Sequence, residues 1–214
     1  MIGETKKGAA KMLEKVKILG MILSGTFFLF GCDKSFEVDE DSLIQICVKT
    51  GKYSQACGSG FWISPEYIVT AEHVVHNRIN EKLKITASKA GEDFKPKKAE
   101  ILKVDSVHDI ALIRVNDYKS ESWLEFCDNL YVFDQVYIAR VTDEYLSIQY
   151  GFVNYIDDFE AHFTTKAWDG WSGSPVINSK LECVESILIW AKKNNNQFSG
   201  GPLLEDIKYF LEND

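Results

Sequence analysis

The chain reads as an all-β protein closed by a short C-terminal helix. Two observations predict this. From Leu43 to Trp190 the sequence falls into short runs rich in β-branched and aromatic residues, several alternating apolar with polar, with turn signals between them. Helical spacing is confined to Ala71–Asn77 and to the tail Pro202–Leu211, where a proline stands at the start of an apolar 3–4 repeat.

The runs come in two sets. Leu43–Val48, Gly60–Ile63, Tyr67–Thr70, Leu83–Thr86, Ala99–Val104 and Ile110–Val115 form the first. Asp117–Asn129 is more polar and reads as a crossing between two halves. Gln135–Val141, Tyr145–Tyr150, Ala161–Thr165, Pro175–Ile177 and Cys183–Trp190 follow it. Alternation of this kind buries one face of each strand. No internal repeat or low-complexity tract is visible.

The N-terminal segment is a targeting signal rather than part of the fold. Lys15 and Lys17 precede an apolar stretch, Ile18–Phe30, which ends in Gly31-Cys32. A basic start, a short apolar core and a small residue before the cut describe a secretory signal. The stretch is too short and poorly flanked to read as a membrane span. Met12 is a second candidate start. Leu29-Phe30-Gly31-Cys32 resembles a bacterial lipobox, which implies lipidation of Cys32 and a lipid anchor in the envelope; a plain secretory signal is the alternative. Asp33 after the cysteine resembles enterobacterial sorting signals, which implies retention at the periplasmic face of the inner membrane in a two-membrane bacterium. Residues 33–42 are acidic and unpatterned, suiting a tether, and 43–214 form the folded domain.

Charge excludes one class of partner. Residues 1–32 hold five lysines and two glutamates, so their removal leaves 19 basic and 30 acidic residues, a formal charge of −11 against −8 for the whole chain. Phosphate backbones need a basic face, so nucleic acid is not the expected partner. Lys95-Pro96-Lys97-Lys98 reads as a solvated loop. Cys32 aside, Cys47, Cys57, Cys127 and Cys183 permit two disulfides in three connectivities, or buried thiols. Cys47 and Cys57 lie on two runs read as a hairpin around Thr50-Gly51-Lys52, which favours them as cross-strand partners; Cys127 with Cys183 follows only by elimination. No metal is expected, because no Cys-x-x-Cys or His-x-x-x-His spacing occurs.

Three motifs carry chemistry. Gly170-Trp171-Ser172-Gly173-Ser174-Pro175 sets a serine in a glycine turn, where the backbone bends tightly and amide N–H groups converge. Upstream lie Thr70-Ala71-Glu72-His73-Val74-Val75 and His108-Asp109-Ile110-Ala111-Leu112. A serine hydroxyl needs a base, histidine has a suitable proton affinity, and a carboxylate holds the imidazole in the useful tautomer.

These motifs, with Gly58-Ser59-Gly60-Phe61-Trp62 and Tyr67-Ile68-Val69 leading into the histidine, resemble the trypsin-like (chymotrypsin-fold) serine proteases. Gly170–Pro175 is similar to the form found in the glutamyl-endopeptidase/HtrA-like branch. The resemblance runs from about Leu43 onward. It implies two packed six-stranded antiparallel β-barrels, about 43–118 and 130–201, and a serine endopeptidase acting on protein or peptide without a cofactor. Ser172 maps to the nucleophile, His73 to the base, Asp109 to the orienting carboxylate, and the N–H groups of Gly170 and Ser172 to the oxyanion hole. By the same count Lys166 falls at the base of the primary pocket beside Ala167, with Ile189 and Trp190 opposite. That placement implies a preference for acidic side chains; a one-residue shift puts Lys166 in solvent and leaves an apolar pocket. His76, His108 and His162 lack the His73 setting. The digestive relatives pair an aspartate before the nucleophile with a freshly cut N-terminus, and Trp171 stands there instead, so activation by that ion pair is not expected. The competing reading is a silent protease-like binding or sensor module.

Overall fold

The strands read between Leu43 and Val115 are present, and in the computed structural model six of them close into a barrel. The structure describes residues 39–49, 51–75, 85–88 (backbone only), 97–142, 145–191 and 198–213. The signal segment with Cys32, most of the tether and His76 lie outside them.

The first barrel contains β1 (Leu43–Lys49), β2 (Gln55–Trp62), β3 (Tyr67–Ala71), β4 (Ile85–Ser88), β5 (Lys97–Asp105) and β6 (Ile110–Val115), in the order β1-β2-β3-β6-β5-β4. Ile44, Ile46 and Val48 of β1 meet Trp62, Ile68 and Ile113 in its interior. A one-turn helix, α1 (Glu72–Val75), follows β3 directly. Before β1, Glu40–Ser42 form a 3-10 turn capped by Asp39, whose carboxylate also accepts a hydrogen bond from Ser122 Oγ.

The second half contains β7 (Gln135–Val141), β8 (Leu146–Ile156), β9 (Glu160–Phe163), β10 (Pro175–Asn178), β11 (Val184–Ile187), β12 (Trp190–Ala191) and β13 (Ser199–Pro202). The sheet order is β11-β10-β7-β8-β9-β13-β12. β11 and β12 are one run of chain that changes partner at Leu188-Ile189: Leu188 N donates to Ser174 O beside β10, and Ile189 N donates to Gly200 O on β13. Both ends of the sheet are therefore supplied by one stretch, and the seven segments amount to six runs. Val136, Ile138, Phe163 and Trp171 lie in its core.

β13 is absent from the sequence reading, which starts the tail helix at Pro202. Ser199-Gly200-Gly201-Pro202 has poor strand propensity. It is a strand because its backbone pairs with β9 on one side and β12 on the other. Glycine at 201 also lets it pass close to β11, where a Cβ would stand 1.9 Å from Ile187 O. The helix, α2 (Leu204–Glu212), begins two residues after Pro202. It buries Leu204, Ile207 and Phe210 at helical spacing, and Glu205 and Asp206 suit its N-terminal dipole. Lys103 of β5 caps the other end by donating to Phe210 O at 2.5 Å.

The crossing segment pairs with both halves. Leu124 N donates to Trp62 O, Cys127 N to Val184 O and Val184 N to Glu125 O. Disulfides join Cys127 to Cys183 and Cys47 to Cys57, the latter pair directly opposite on β1 and β2. Each constrains the unfolded chain, the first over the longer loop.

One buried group costs stability. Glu185 of β11 is fully buried, and Asn178 Nδ2 donates to its Oε1 at 2.6 Å. Burial pushes its pKa up to about 8; the Asn178 bond pulls the other way, and the nearby carboxylate of Asp134 adds to the rise. The folded state thus holds a proton that the unfolded chain releases above about pH 4.5, and stability falls as pH rises from there through about 8. The slope for one proton is at most about 1.4 kcal/mol per pH unit. Glu185→Gln keeps the shape and removes the titration. The gap in unfolding free energy between variant and parent is expected to grow in the variant's favour between pH 5 and pH 8 in urea melts; a gap independent of pH would assign the effect elsewhere.

Candidate active site

His73 and Asp109 are brought together by backbone as much as by side chains. β3 pairs with β6, so α1, which follows β3, lies over the turn that enters β6. Glu72 N donates to Asp109 O at 3.0 Å and His73 N to Asp109 Oδ1 at 2.8 Å. The imidazole Nδ1 then meets Asp109 Oδ2 at 2.5 Å. A carboxylate oxygen only accepts, so Nδ1 carries the proton and Nε2 keeps its lone pair. Asp109 adopts φ 55°, a left-handed conformation that aspartate tolerates better than bulkier residues. His108 turns the opposite way, with Nδ1 2.7 Å from Asp105 Oδ2 and Nε2 3.7 Å from Asp206 Oδ1, so it ties the β5–β6 turn to α2.

The serine loop is clamped from both halves. On the first-barrel side, Ser59 N donates to Ser172 O at 2.8 Å and Ser59 Oγ donates to Gly170 O at 2.9 Å. Thr70 Oγ1 donates in turn to Ser59 O at 2.6 Å. On the second-barrel side, Gly173 N donates to Leu188 O at 2.7 Å. Gly173 has φ 86°, and a Cβ there would lie 2.0 Å from Ser59 O and 2.3 Å from Thr70 Oγ1. Trp171 is buried in the second core rather than charged and paired. Ser174 is fully buried, and its hydroxyl has no hydrogen-bond partner among the described residues.

A cleft of about 900 Å³ opens between these elements. His73, Val74, Ala56 and Cys57 line it from the first barrel; Ala167–Gly170, Ser172 and Leu188–Ala191 line it from the second. His73 and Ser172 thus face one space, although no hydrogen bond joins the imidazole to Ser172 Oγ among the described residues; such contacts are often long without substrate. The amides of Gly170 and Ser172 likewise donate to no backbone carbonyl among the described residues. No three His, Cys, Asp or Glu side chains among them converge on a point that would hold a metal ion.

Of the expected pocket residues, Ala167, Ile189 and Trp190 line the cleft, whereas Lys166 is exposed and is not among the lining residues. Thr165 before it is buried and hydrogen-bonded to Ser199 Oγ at 2.6 Å. Leu188, Ile189 and Trp190 make the opposite wall apolar. The Trp190 indole donates to Glu160 Oε2 at 2.6 Å and lies over Gly200, where a Cβ would touch its ring. His162 packs edge-on to that indole at 5.4 Å, stacks on Tyr155 and meets Asp157 at 3.0 Å, so it supports the wall.

Two contributors were not visible in the sequence reading as parts of the site. Ser59 sits in a quoted motif, Gly58-Ser59-Gly60, so its setting was a signal. Arg140, whose Nη1 donates to Asp169 O at 3.1 Å, sits at the end of β7 with nothing in its neighbourhood to mark it.

Comparison with known proteins agrees with this architecture. The Rv3671c protease of M. tuberculosis in its active form superposes with a TM-score of 0.69, at 17% identity over 80% of each chain. A serine-to-alanine mutant of that protein in an inactive form gives 0.65 at 18% identity, covering 80% of this chain and 85% of that one. At such identities the likeness establishes the fold. The sequence model of the Trypsin-like peptidase domain matches residues 58–184 and so spans Ser59 and Thr70 of the clamp, both members of the His–Asp pair and the serine loop. The chain belongs to the trypsin-like peptidase domain family.

Proposed function

We propose that the protein is a serine endopeptidase that cuts peptide bonds through an acyl-enzyme. The observation that carries this reading is the His73–Asp109 pair, oriented with Nε2 free, on the same cleft as Ser172. Ser172 Oγ attacks the substrate carbonyl while His73 Nε2 takes its proton. The carbonyl oxygen becomes an oxyanion, which the N–H groups of Gly170 and Ser172 receive. The imidazolium, stabilised by Asp109, gives its proton to the departing amine and leaves an ester on Ser172. Water then attacks that ester as His73 takes a proton from it; return of this proton to Oγ frees the acid. The signal segment supports an exported enzyme, lipid-anchored through Cys32 at the bacterial envelope, with protein or peptide as substrate.

A fluorophosphonate probe should label the wild type and not Ser172→Ala. Peptidase activity should vanish in Ser172→Ala and His73→Ala, both of which should melt like the parent. Asp109→Asn should lower kcat by about 10⁴, the cost of presenting the wrong tautomer. A folded protein that neither labels nor cuts would favour a silent binding or sensor module.

The lining residues support a preference for medium-sized apolar side chains before the scissile bond. A peptide-library digest should show cleavage mainly after Leu, Val or Phe, unchanged in Lys166→Ala. Cleavage mainly after Asp or Glu, lost in that variant, would restore the acidic preference.

A further inference from the structure

The turn before Ser172 has two possible states, and its observed state needs a support. Trp171 N donates to Trp168 O at 3.1 Å, closing a four-residue turn. Gly170, its third residue, has φ 86°, whereas Asp169 is not among the residues with positive φ. That combination is a type II turn; rotation of the one central peptide would convert it to type I. The central peptide carries Asp169 O on one side and the Gly170 N–H on the other, opposed because the bond is trans.

Arg140 holds one side of that peptide. Its Nη1 donates to Asp169 O at 3.1 Å and is the atom a Cβ on Gly170 would meet at 2.9 Å. The guanidinium stands 5.5 Å from the Trp171 ring centroid, which offers it a π face. Among the described residues its buried Nε has no hydrogen-bond partner and no carboxylate forms an ion pair with it. A half-buried arginine with that environment is committed to a main-chain carbonyl. With Asp169 O turned to Arg140, the Gly170 N–H points the other way, on the side where Gly170 and Ser172 line the cleft.

We propose that Arg140 is a positioning residue: it holds the Asp169–Gly170 peptide so that the Gly170 N–H faces the cleft as an oxyanion donor. The inference deepens the hydrolase reading and rests on it for the use of that N–H. Rotation of the peptide would present a carbonyl to the oxyanion and leave the guanidinium without its acceptor. The cation that organises this loop therefore comes from β7 within the same folded chain, and no newly cut terminus is needed.

Crystal structures and kinetics of Arg140→Met and Arg140→Lys test this. The Met variant should show the central peptide turned over, with Gly170 φ negative. Its kcat should fall by about 10²-fold with KM within about threefold, the pattern of a lost transition-state donor. The Lys variant keeps a donor and should keep the type II turn, with kcat within about tenfold of the parent. A Met variant that retains the turn, or that matches the parent's kcat, overturns the proposal. Should the Met variant fail to fold, a Lys variant with the turn inverted overturns it equally. If the parent cuts no peptide, the hydrolase reading fails while the peptide orientation still judges Arg140.

Discussion

Gly173 has no room for a side chain, and the site is built around that fact. The Ser59 carbonyl and the Thr70 hydroxyl fill the space beside it, where even a methyl group would overlap both. A larger residue would push the serine loop off the first barrel. It would break the hydrogen bonds from Ser59 to Ser172 O and Gly170 O, which set the loop's height above the cleft. The positive φ at Gly173 and at Gly170 bends the chain sharply on either side of Ser172. The two halves are therefore joined by hydrogen bonds at the residues proposed to do the chemistry.

The His–Asp pair is held differently. Asp109 uses one carboxylate oxygen on the His73 amide and the other on its ring, so a single side chain fixes both position and tautomer. Strand pairing of β3 with β6 supplies the frame, because it brings together chain ends 36 residues apart. The pair remains partly open to solvent, with the imidazole 46% exposed. A substrate in the cleft would shield it and strengthen these charged contacts.

Trp171 and Arg140 describe a loop organised from inside the fold. The indole is sunk in the second core, which anchors the residue before Ser172 by burial rather than by an ion pair. Arg140 lies over its face and reaches the neighbouring carbonyl. An apolar anchor and a single directed hydrogen bond are both available as soon as the barrel has formed.

Much of this was readable from residue order alone, and the physical reason is locality. Alternation marked β1, β6 and β7 at nearly their observed bounds, since burial of one face is written into each strand's own residues. The motifs around His73, Asp109 and Ser172 were visible because each needs a particular short turn. Other features depend on neighbours distant in sequence. β13 is glycine-rich and became a strand through pairing with β9 and β12. Thr165 is buried against Ser199, 34 residues away, and Lys166 next to it is exposed. Ser59 and Arg140 gained their places from carbonyls 111 and 29 residues away. Periodicity reports which face of a segment is buried; it says nothing of what that face meets, and the meeting of Asp109 with His73 and of Arg140 with Asp169 belongs to the packed barrels.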